Sequence, residues 1–304
     1  MSFELHQRKH IEHELVKVVR RELRHTTRAL TASDGSTLES AVHESRKSVK
    51  KVRAVAAFLK EAGAKLPRKD RKRLKAAARA LSRLRDSAAI VDTFDRVRQR
   101  YPERLSQQTY SILRRGLVGA RNREQERAQG DGVVDEAVER LAATRKSAKH
   151  WAAPSIDASG VGAVVAGSYR RSREAMERAR ATGQSATLHR WRKELKTLWY
   201  QLRLAKPLTP GVAPLVADLK RLETELGDEH NLVVLAATLR ACRDLRTMRA
   251  DIRRIDRLAA RMRQPLRRHA FALGRRLYAR TPEAFVRWIR RSATETRPPQ
   301  TAAA

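Results

Sequence analysis

The chain has 304 residues, of which 67 are Lys or Arg and 33 are Asp or Glu, so its formal net charge at neutral pH is +34. A positive charge of this size indicates polyanionic partners, although it does not select a fold. One cysteine, Cys242, excludes a disulfide framework and a multi-cysteine zinc module, and the 41% of hydrophobic residues is enough to bury a core.

The composition predicts an all-α fold. Ala, Arg, Leu, Lys and Glu dominate, whereas the 13 Gly and 10 Pro cluster at a few sites between segments with apolar residues at helical spacing. The predicted breaks are residues 32–36, 63–67, Pro102, 130–132, 154–162, 182–183, 207–214, Gly227 and Pro282. Residues 292–304 have no apolar pattern and are predicted to form a disordered tail.

Nothing in the sequence indicates export or a membrane. The first six residues contain no apolar signal core, and the longest weakly polar stretch, residues 161–167, is far too short to span a bilayer. We therefore expect a cytoplasmic protein in a reducing setting.

A thirteen-residue pattern occurs twice along the chain. Residues 38–50 and 184–196 both contain His-x-x-Arg-Lys-x-x-Lys, which begins at His43 and at His189, an offset of 189 − 43 = 146 residues. An arginine-rich segment precedes each copy, and an apolar segment that ends in Leu84-Arg85-Asp86 or Leu226-Gly227-Asp228 follows. We infer a duplicated helical unit with repeats at residues 1–153 and 154–291, and a boundary near Pro154.

Each copy places its basic residues on one helical stripe. On a wheel of about 100° per residue, the first stripe contains His43, Arg46, Lys47 and Lys50, with Lys51 at its edge. The second contains His189, Arg192, Lys193, Lys196, Tyr200 and Arg203. A charged stripe is usually a solvated face, but such faces mix signs, and these two contain no acidic residue. Like charges on neighbouring turns cost stability, so their occurrence in both copies favours a polyanion-binding surface.

The two histidines could instead be ordinary capped or half-buried side chains without a role in binding. The surrounding cations should disfavour their protonated form, and an arriving polyanion should favour it. No carboxylate on either stripe is placed to orient a catalytic ring, so we expect no enzymatic activity.

These motifs resemble the CHAD family, the conserved histidine α-helical domain, over roughly residues 6–291. The resemblance implies two tandem four-helix bundles related by a pseudo-twofold axis, with a central basic surface that binds inorganic polyphosphate. It carries His43, Arg46, Lys47, Lys50 and Lys51 over from one half. From the other half it carries His189, Arg192, Lys193 and Lys196. If the protein binds polyphosphate, we also expect it to associate with polyphosphate granules.

Further basic residues form two additional sets. Four-helix packing would place the preceding helices beside the motif helices, which makes Arg20, Arg21, Arg24, Arg170, Arg171 and Arg173 a second set. A third set, about half of which we expect to be plain surface, is Arg79, Arg83, Arg114, Arg115, Lys220, Arg267, Arg268 and Arg275. Asp86 and Asp228 are expected to cap following helices, or else to bridge to a basic residue of a motif helix.

Two alternatives remain for function and one for metals. Sequence-independent DNA or RNA binding would use the same charge, but single-strand binders interleave aromatic platforms with basic residues, and the first stripe has none. A phosphatase or polyphosphate kinase would need a metal site or nucleophile, and no such motif is evident. His6, His10 and His13 share one helical face and could hold a divalent metal, but a frayed terminus is favoured. We therefore expect no cofactor and no metal.

Overall fold

Helices make up all the regular structure of the described chain. The computed structural model describes residues 3–34 and 37–294, without the side chains of residues 83–88, 125 and 128–130. The longer helices are α1 (Ile11–Thr31), α2 (Leu38–Glu61), α3 (Arg68–Arg100), α4 (Gln107–Gly130), α5 (Val133–Ser147), α6 (Val161–Thr182), α7 (Ser185–Ala205), α8 (Ala213–Ala241), α9 (Arg249–Leu277) and α10 (Pro282–Thr294). Short 3₁₀ turns lie at Pro102–Arg104, Ala148–His150, Lys206–Leu208, Pro210–Val212 and Arg243–Met248. The predicted all-α class is confirmed.

Most helix ends lie where glycine or proline predicted them. Gly63 follows α2 with φ 93°, and Gly183 follows α6 with φ 63°, both in the left-handed region that other residues enter at a cost. Pro282 is the first residue of α10, where its missing N–H needs no helical partner. Acidic residues in the first turn of α1 and a basic residue in its last turn match the helix dipole.

Two expected boundaries are absent. α3 continues through residues 84–86, and α8 continues through Gly227 and Asp228, so the predicted break at Gly227 is wrong. A single glycine costs a helix interior about 1 kcal/mol, which the strong helix formers around it overcome. α10 also extends into the predicted tail as far as Thr294, while the rest of that tail, residues 295–304, lies outside the described residues.

One large core lies beneath both motif helices. It includes Val49 and Val52 of α2 together with Leu195 and Leu198 of α7, and it reaches from Phe3 to Ile289. A second core is formed by the carboxyl-terminal parts of α3 and α8 together with α4 and α9. Because the main core mixes residues from both sides of Pro154, the division into two repeats stays a prediction.

The two motif helices pack against each other. α2 contacts α7, and α3 contacts α8. The buried amide of Gln201 in α7 donates a hydrogen bond of 3.2 Å from Nε2 to the carbonyl oxygen of Ala54 in α2. This contact fixes how the basic face of one motif helix lies against that of the other.

Candidate functional site

Basic residues of the two motif helices converge at the contact between α2 and α7. Lys50 of α2 is partly buried, and burial lowers its pKa to about 7, with further lowering by the charges of Lys196, Arg46 and Arg192. We call these four residues, Arg46, Lys50, Arg192 and Lys196, the basic cluster. Since the cluster draws two residues from each motif helix, the stripes predicted from sequence meet at one site.

A buried carboxylate from a third helix lies inside the cluster. Glu223 of α8 accepts hydrogen bonds on Oε1 from Lys196 Nζ at 2.5 Å and from Arg192 Nη2 at 3.2 Å. Its other oxygen, Oε2, accepts one from Lys220 Nζ at 2.9 Å. Burial alone would raise the pKa of Glu223, but these cations lower it to about 2. Glu223 is therefore ionised at neutral pH and supplies one negative charge to several cations.

A second carboxylate pairs with the edge of the first stripe. Lys51 Nζ lies 3.0 Å from Glu22 Oε1 of α1 and 5.3 Å from the ring centroid of Phe3. The stripes contain no acidic residue in sequence, yet neighbouring helices supply Glu22 and Glu223. The repulsion expected between the stripe cations is therefore partly compensated, which the expectation missed because it considered each helix without its neighbours.

The arginines of the cluster are anchored to the helices that follow the motifs. Arg46 Nη1 donates a hydrogen bond of 3.1 Å to the carbonyl oxygen of Leu81 in α3. The guanidinium of Arg192 lies against Gly227 in α8, where an added Cβ would be 3.2 Å from Nη2. Gly227 thus gives Arg192 room beside the backbone, which explains a glycine in the interior of a helix.

Three other motif residues are more open to solvent. Lys47 and Lys193 are exposed, and Lys47 Nζ lies 2.7 Å from Glu44 Oε1 of the preceding turn. His43 lies partly exposed beside the same carboxylate, with Nε2 at 3.9 Å from Oε1. These residues border the cluster rather than fill it, so water weakens their ion pairs.

His189, the histidine of the second motif, is partly buried beside a histidine of α8. Its ring stacks on that of His230 from α8, with centroids 4.0 Å apart. Burial lowers its pKa to about 4, and the charges of His230, Lys193 and Arg192 contribute. The neutral state expected without a ligand agrees with this direction, although burial is the larger cause.

The remaining predicted site residues differ in their exposure to solvent and in their contacts. Arg20, Arg24 and Arg170 are exposed, and Arg21 is partly buried.

Arg171 Nη1 lies 2.5 Å from Glu61 Oε1, and its Nε lies 3.6 Å from Glu194 Oε2. Arg203 lies over Trp199, 5.7 Å from a ring centroid, and Tyr200 is buried instead of lining the stripe. Arg171 is therefore occupied by carboxylates, whereas Arg203 lies beside an aromatic ring that also faces Lys220, 5.2 Å away.

The third set of basic residues divides into those that pair with a carboxylate and those that are exposed. Lys220 joins the basic cluster through Glu223, but Arg114 pairs with Asp95 and Arg267 with the buried Glu229. Arg79, Arg115, Arg268 and Arg275 are exposed. The side chains of Arg83 and Asp86 lie outside the described residues.

Asp228 has neither of its expected roles. It lies inside α8, not at a helix start, and Arg96 Nη1 of α3 bonds to its Oδ1 at 2.8 Å. It therefore links α3 to α8 and does not bridge to a motif helix. A cleft of about 350 Å³ opens beside it, with Arg96, Arg100 and Arg261 in its wall.

Sequence reasoning missed the acidic members of the site and Trp199. Glu22 and Glu223 belong to helices that bear no copy of the motif, and only packing brings them to Lys51 and Lys196. No pattern within a single helix could have found them, because periodicity along one helix carries no information about contacts to another.

Comparison with known proteins agrees with the fold. A family model described as the CHAD domain matches residues 17–240. Among solved structures, the chain is similar to a crystal structure of the CHAD domain from the plant Ricinus communis, with a TM-score of 0.62 over 88% of this chain and 92% of that one. At 16% identity this similarity concerns the fold alone. No curated protein matches the chain, and no described helix has the length and apolarity needed to cross a bilayer.

Proposed function

Because the chain belongs to the CHAD domain family, we propose that it binds inorganic polyphosphate at the basic cluster and its exposed border, without catalysing a reaction. The observation that carries this proposal is the convergence of Lys50 and Lys196 from two separate helices beside Arg46 and Arg192. The single carboxylate of Glu223 offsets only part of the repulsion among these cations, and a polyanion would relieve the rest.

The chemistry of the cluster suits a chain of phosphates. Guanidinium groups bind phosphate oxygens with two parallel hydrogen bonds, whereas ammonium groups supply adaptable point charge. Arg46 and Arg192 provide the former, and Lys47, Lys50 and Lys193 provide the latter. The only buried carboxylate described within the cluster, Glu223, has its pKa lowered to about 2 by its cationic partners despite burial. It is therefore a poor general base at neutral pH, which supports binding without turnover.

The aromatic residues beside the cluster favour polyphosphate over single-stranded nucleic acid. Trp199 and Tyr200 are buried, and their rings therefore offer no open platform on which a base could stack. A flexible polyphosphate has no bases and needs only charge in a narrow space. We propose that the protein collects on polyphosphate granules in the cytoplasm.

A competition titration tests the proposal. The full chain is loaded with labelled long-chain polyphosphate, and unlabelled polyphosphate, duplex DNA or single-stranded RNA is added at matched phosphate concentration. We expect polyphosphate to displace the label at a concentration at least about 10-fold below that of either nucleic acid, and affinity to fall steeply with salt as counterions are released. Equal displacement by nucleic acid would favour sequence-independent nucleic-acid binding instead.

A further inference from the structure

Three metal-ligating side chains converge at the start of α1, away from the motif helices. His10 Nδ1 lies 3.4 Å from Glu12 Oε1, and His13 Nδ1 lies 3.8 Å from the same oxygen. All three ligand atoms lie within 4.8 Å of one another. The helical face expected for His6, His10 and His13 does not form, because α1 begins at Ile11 and the backbone N–H of His6 bonds to Glu14. Glu12 takes the place of His6.

These separations are close to those of a tetrahedral metal site. With metal–ligand distances of about 2.0–2.1 Å, two ligands of a tetrahedron are about 3.3 Å apart. The separations from Glu12 to His10 and His13 are therefore at or slightly above the required value. The ligand atoms of the two histidines, which lie within 4.8 Å of each other, must also approach. Both imidazoles can rotate to close this distance, since their side chains are 66% and 73% exposed.

Glu12 is held in place by the segment that precedes α6. Its Oε2 accepts a hydrogen bond of 2.9 Å from the backbone N–H of Ile156, which leaves Oε1 directed at the histidines. In many metal sites the ligands are held in position by hydrogen bonds of this kind from residues that do not themselves contact the metal.

The backbone around His10 is also constrained. His10 has φ 52°, the only positive φ of a residue other than glycine in the described chain. The N–H of Ile11 bonds to the Ile156 carbonyl at 3.0 Å, and the N–H of Ala158 bonds to the Arg8 carbonyl at 2.8 Å. This pairing of two segments holds His10 in a conformation that costs about 1 kcal/mol or more and turns its ring towards Glu12.

We propose that His10 Nδ1, Glu12 Oε1 and His13 Nδ1 bind a divalent transition-metal ion such as Zn²⁺, with water as the fourth ligand. Two imidazole nitrogens and one carboxylate suit zinc and disfavour Mg²⁺ and Ca²⁺, which take oxygen ligands. Ser155 Oγ lies 3.3 Å from His10 Nδ1 and would exchange that contact for one to the metal-bound water. The bound ion would fasten the start of α1 to the segment at residues 155–158.

Zinc titration of the untagged, chelator-treated chain tests the site without any polyphosphate. Isothermal calorimetry should show one strong site, and the double variant His10→Ala/His13→Ala should weaken it at least about 10-fold. His6→Ala is the matched control, since it removes a neighbouring histidine outside the site, and it should bind as the unchanged chain does. Zinc should also raise the thermal midpoint of the unchanged chain more than that of the double variant.

A second variant separates ligation from folding. Glu12→Gln keeps an oxygen that can accept from Ile156 but loses the charge, so it should weaken zinc binding while far-UV circular dichroism stays unchanged. Equal zinc affinity in the unchanged chain and the double variant would overturn the site, and so would the absence of strong binding in the unchanged chain. Neither result bears on polyphosphate binding, because the basic cluster lies on other residues.

Discussion

Lys50 of α2 lies close enough to Lys196 of α7 for the ammonium of Lys196 to add to burial in lowering the pKa of Lys50 to about 7. These two lysines occupy the same position in the two copies of the motif, since 196 − 50 = 146 matches the offset of the motif histidines. The cluster thus forms where equivalent residues of the copies meet, and its cations depend on one another.

The titration of Lys50 should couple polyphosphate binding to pH. In the unliganded protein its pKa is about 7, below the ordinary lysine value of 10.5, so Lys50 is mostly neutral at pH 8. A bound polyanion favours the charged form, so binding at pH 8 should take up close to one proton, and affinity should decrease as pH rises from 7 to 9. Calorimetry in buffers with different ionisation enthalpies measures this uptake.

A conservative substitution isolates this effect. Lys50→Arg keeps a positive charge that does not titrate, so its proton uptake at pH 8 should be close to zero. Lys193→Arg, at an exposed position of the other motif, should retain the uptake. Unchanged uptake in Lys50→Arg would assign the proton to another group.

Glu223 competes with phosphate for the same cations. Glu223→Gln should increase polyphosphate affinity by at least about 10-fold, because it removes a negative charge within contact distance of Lys196 and Arg192. The substitution should also lower the free energy of unfolding of the unliganded protein. Breaking a buried ion pair costs about 3 kcal/mol, and we expect no more than that here because water reaches Lys220. Urea denaturation with and without polyphosphate measures both.

Glu44→Gln is the matched control for this prediction. It removes an equal charge from an exposed pair with Lys47, whose side chains are 48% and 51% exposed for Lys47 and Glu44. Its effect on stability should stay within about 0.5 kcal/mol. Weaker binding in Glu223→Gln would show that Glu223 positions the cations more than it competes for them.

Arg192 should matter far more than its neighbour Arg190. Arg192→Ala removes a guanidinium fixed between Glu223 and Gly227, whereas Arg190→Ala removes the same charge from an exposed position on the same helix. We expect a loss of polyphosphate affinity of at least about 10-fold for Arg192→Ala and about 2-fold or less for Arg190→Ala. Equal losses in fluorescence-anisotropy titrations would mean that total charge alone determines binding.

Gly227→Ala should separate binding from stability. Its Cβ would lie 3.2 Å from Arg192 Nη2, so the guanidinium would have to shift by a few tenths of an ångström away from Glu223 or the helix backbone. Alanine also gains about 1 kcal/mol in a helix interior, which offsets the crowding. We expect a several-fold loss of polyphosphate affinity with the free energy of unfolding changed by less than about 1 kcal/mol.

Gly119→Ala provides the comparison for that variant. It lies inside α4, where the nearest atom to an added Cβ is Arg123 Nη1 at 3.4 Å. Calorimetric unfolding and binding titrations should show equal or greater stability with unchanged affinity. Unchanged affinity in Gly227→Ala as well would mean that Arg192 has room to move without consequence.

Local patterns in the sequence predicted the helices and the meeting of the motifs. Helical spacing and the positions of Gly63, Gly183 and Pro282 identify most helix ends, because these residues act on the backbone within one or two positions. Gly227 misled the same reasoning, since its role depends on a guanidinium from another helix. The duplicated motif indicated a shared surface because a costly arrangement had occurred twice.

The acidic side of the site was beyond that reasoning. Glu22 and Glu223 reach Lys51 and Lys196 across helix–helix contacts, and periodicity along one helix carries no information about such contacts. The mixed fates of Arg171 and Arg203, one paired with carboxylates and one placed over Trp199, have the same origin. Charge could be predicted from the sequence, but its neutralisation could not.

The common interior beneath α2 and α7 also limits which substitutions the two motif helices can tolerate. Residues from both copies fill the same core, and Gln201 of one bonds to the Ala54 carbonyl of the other. A substitution that shifts one helix should therefore move the cations of both. Neither copy can be deleted, or exchanged for an unrelated helix, without dismantling the surface that its twin helps to build.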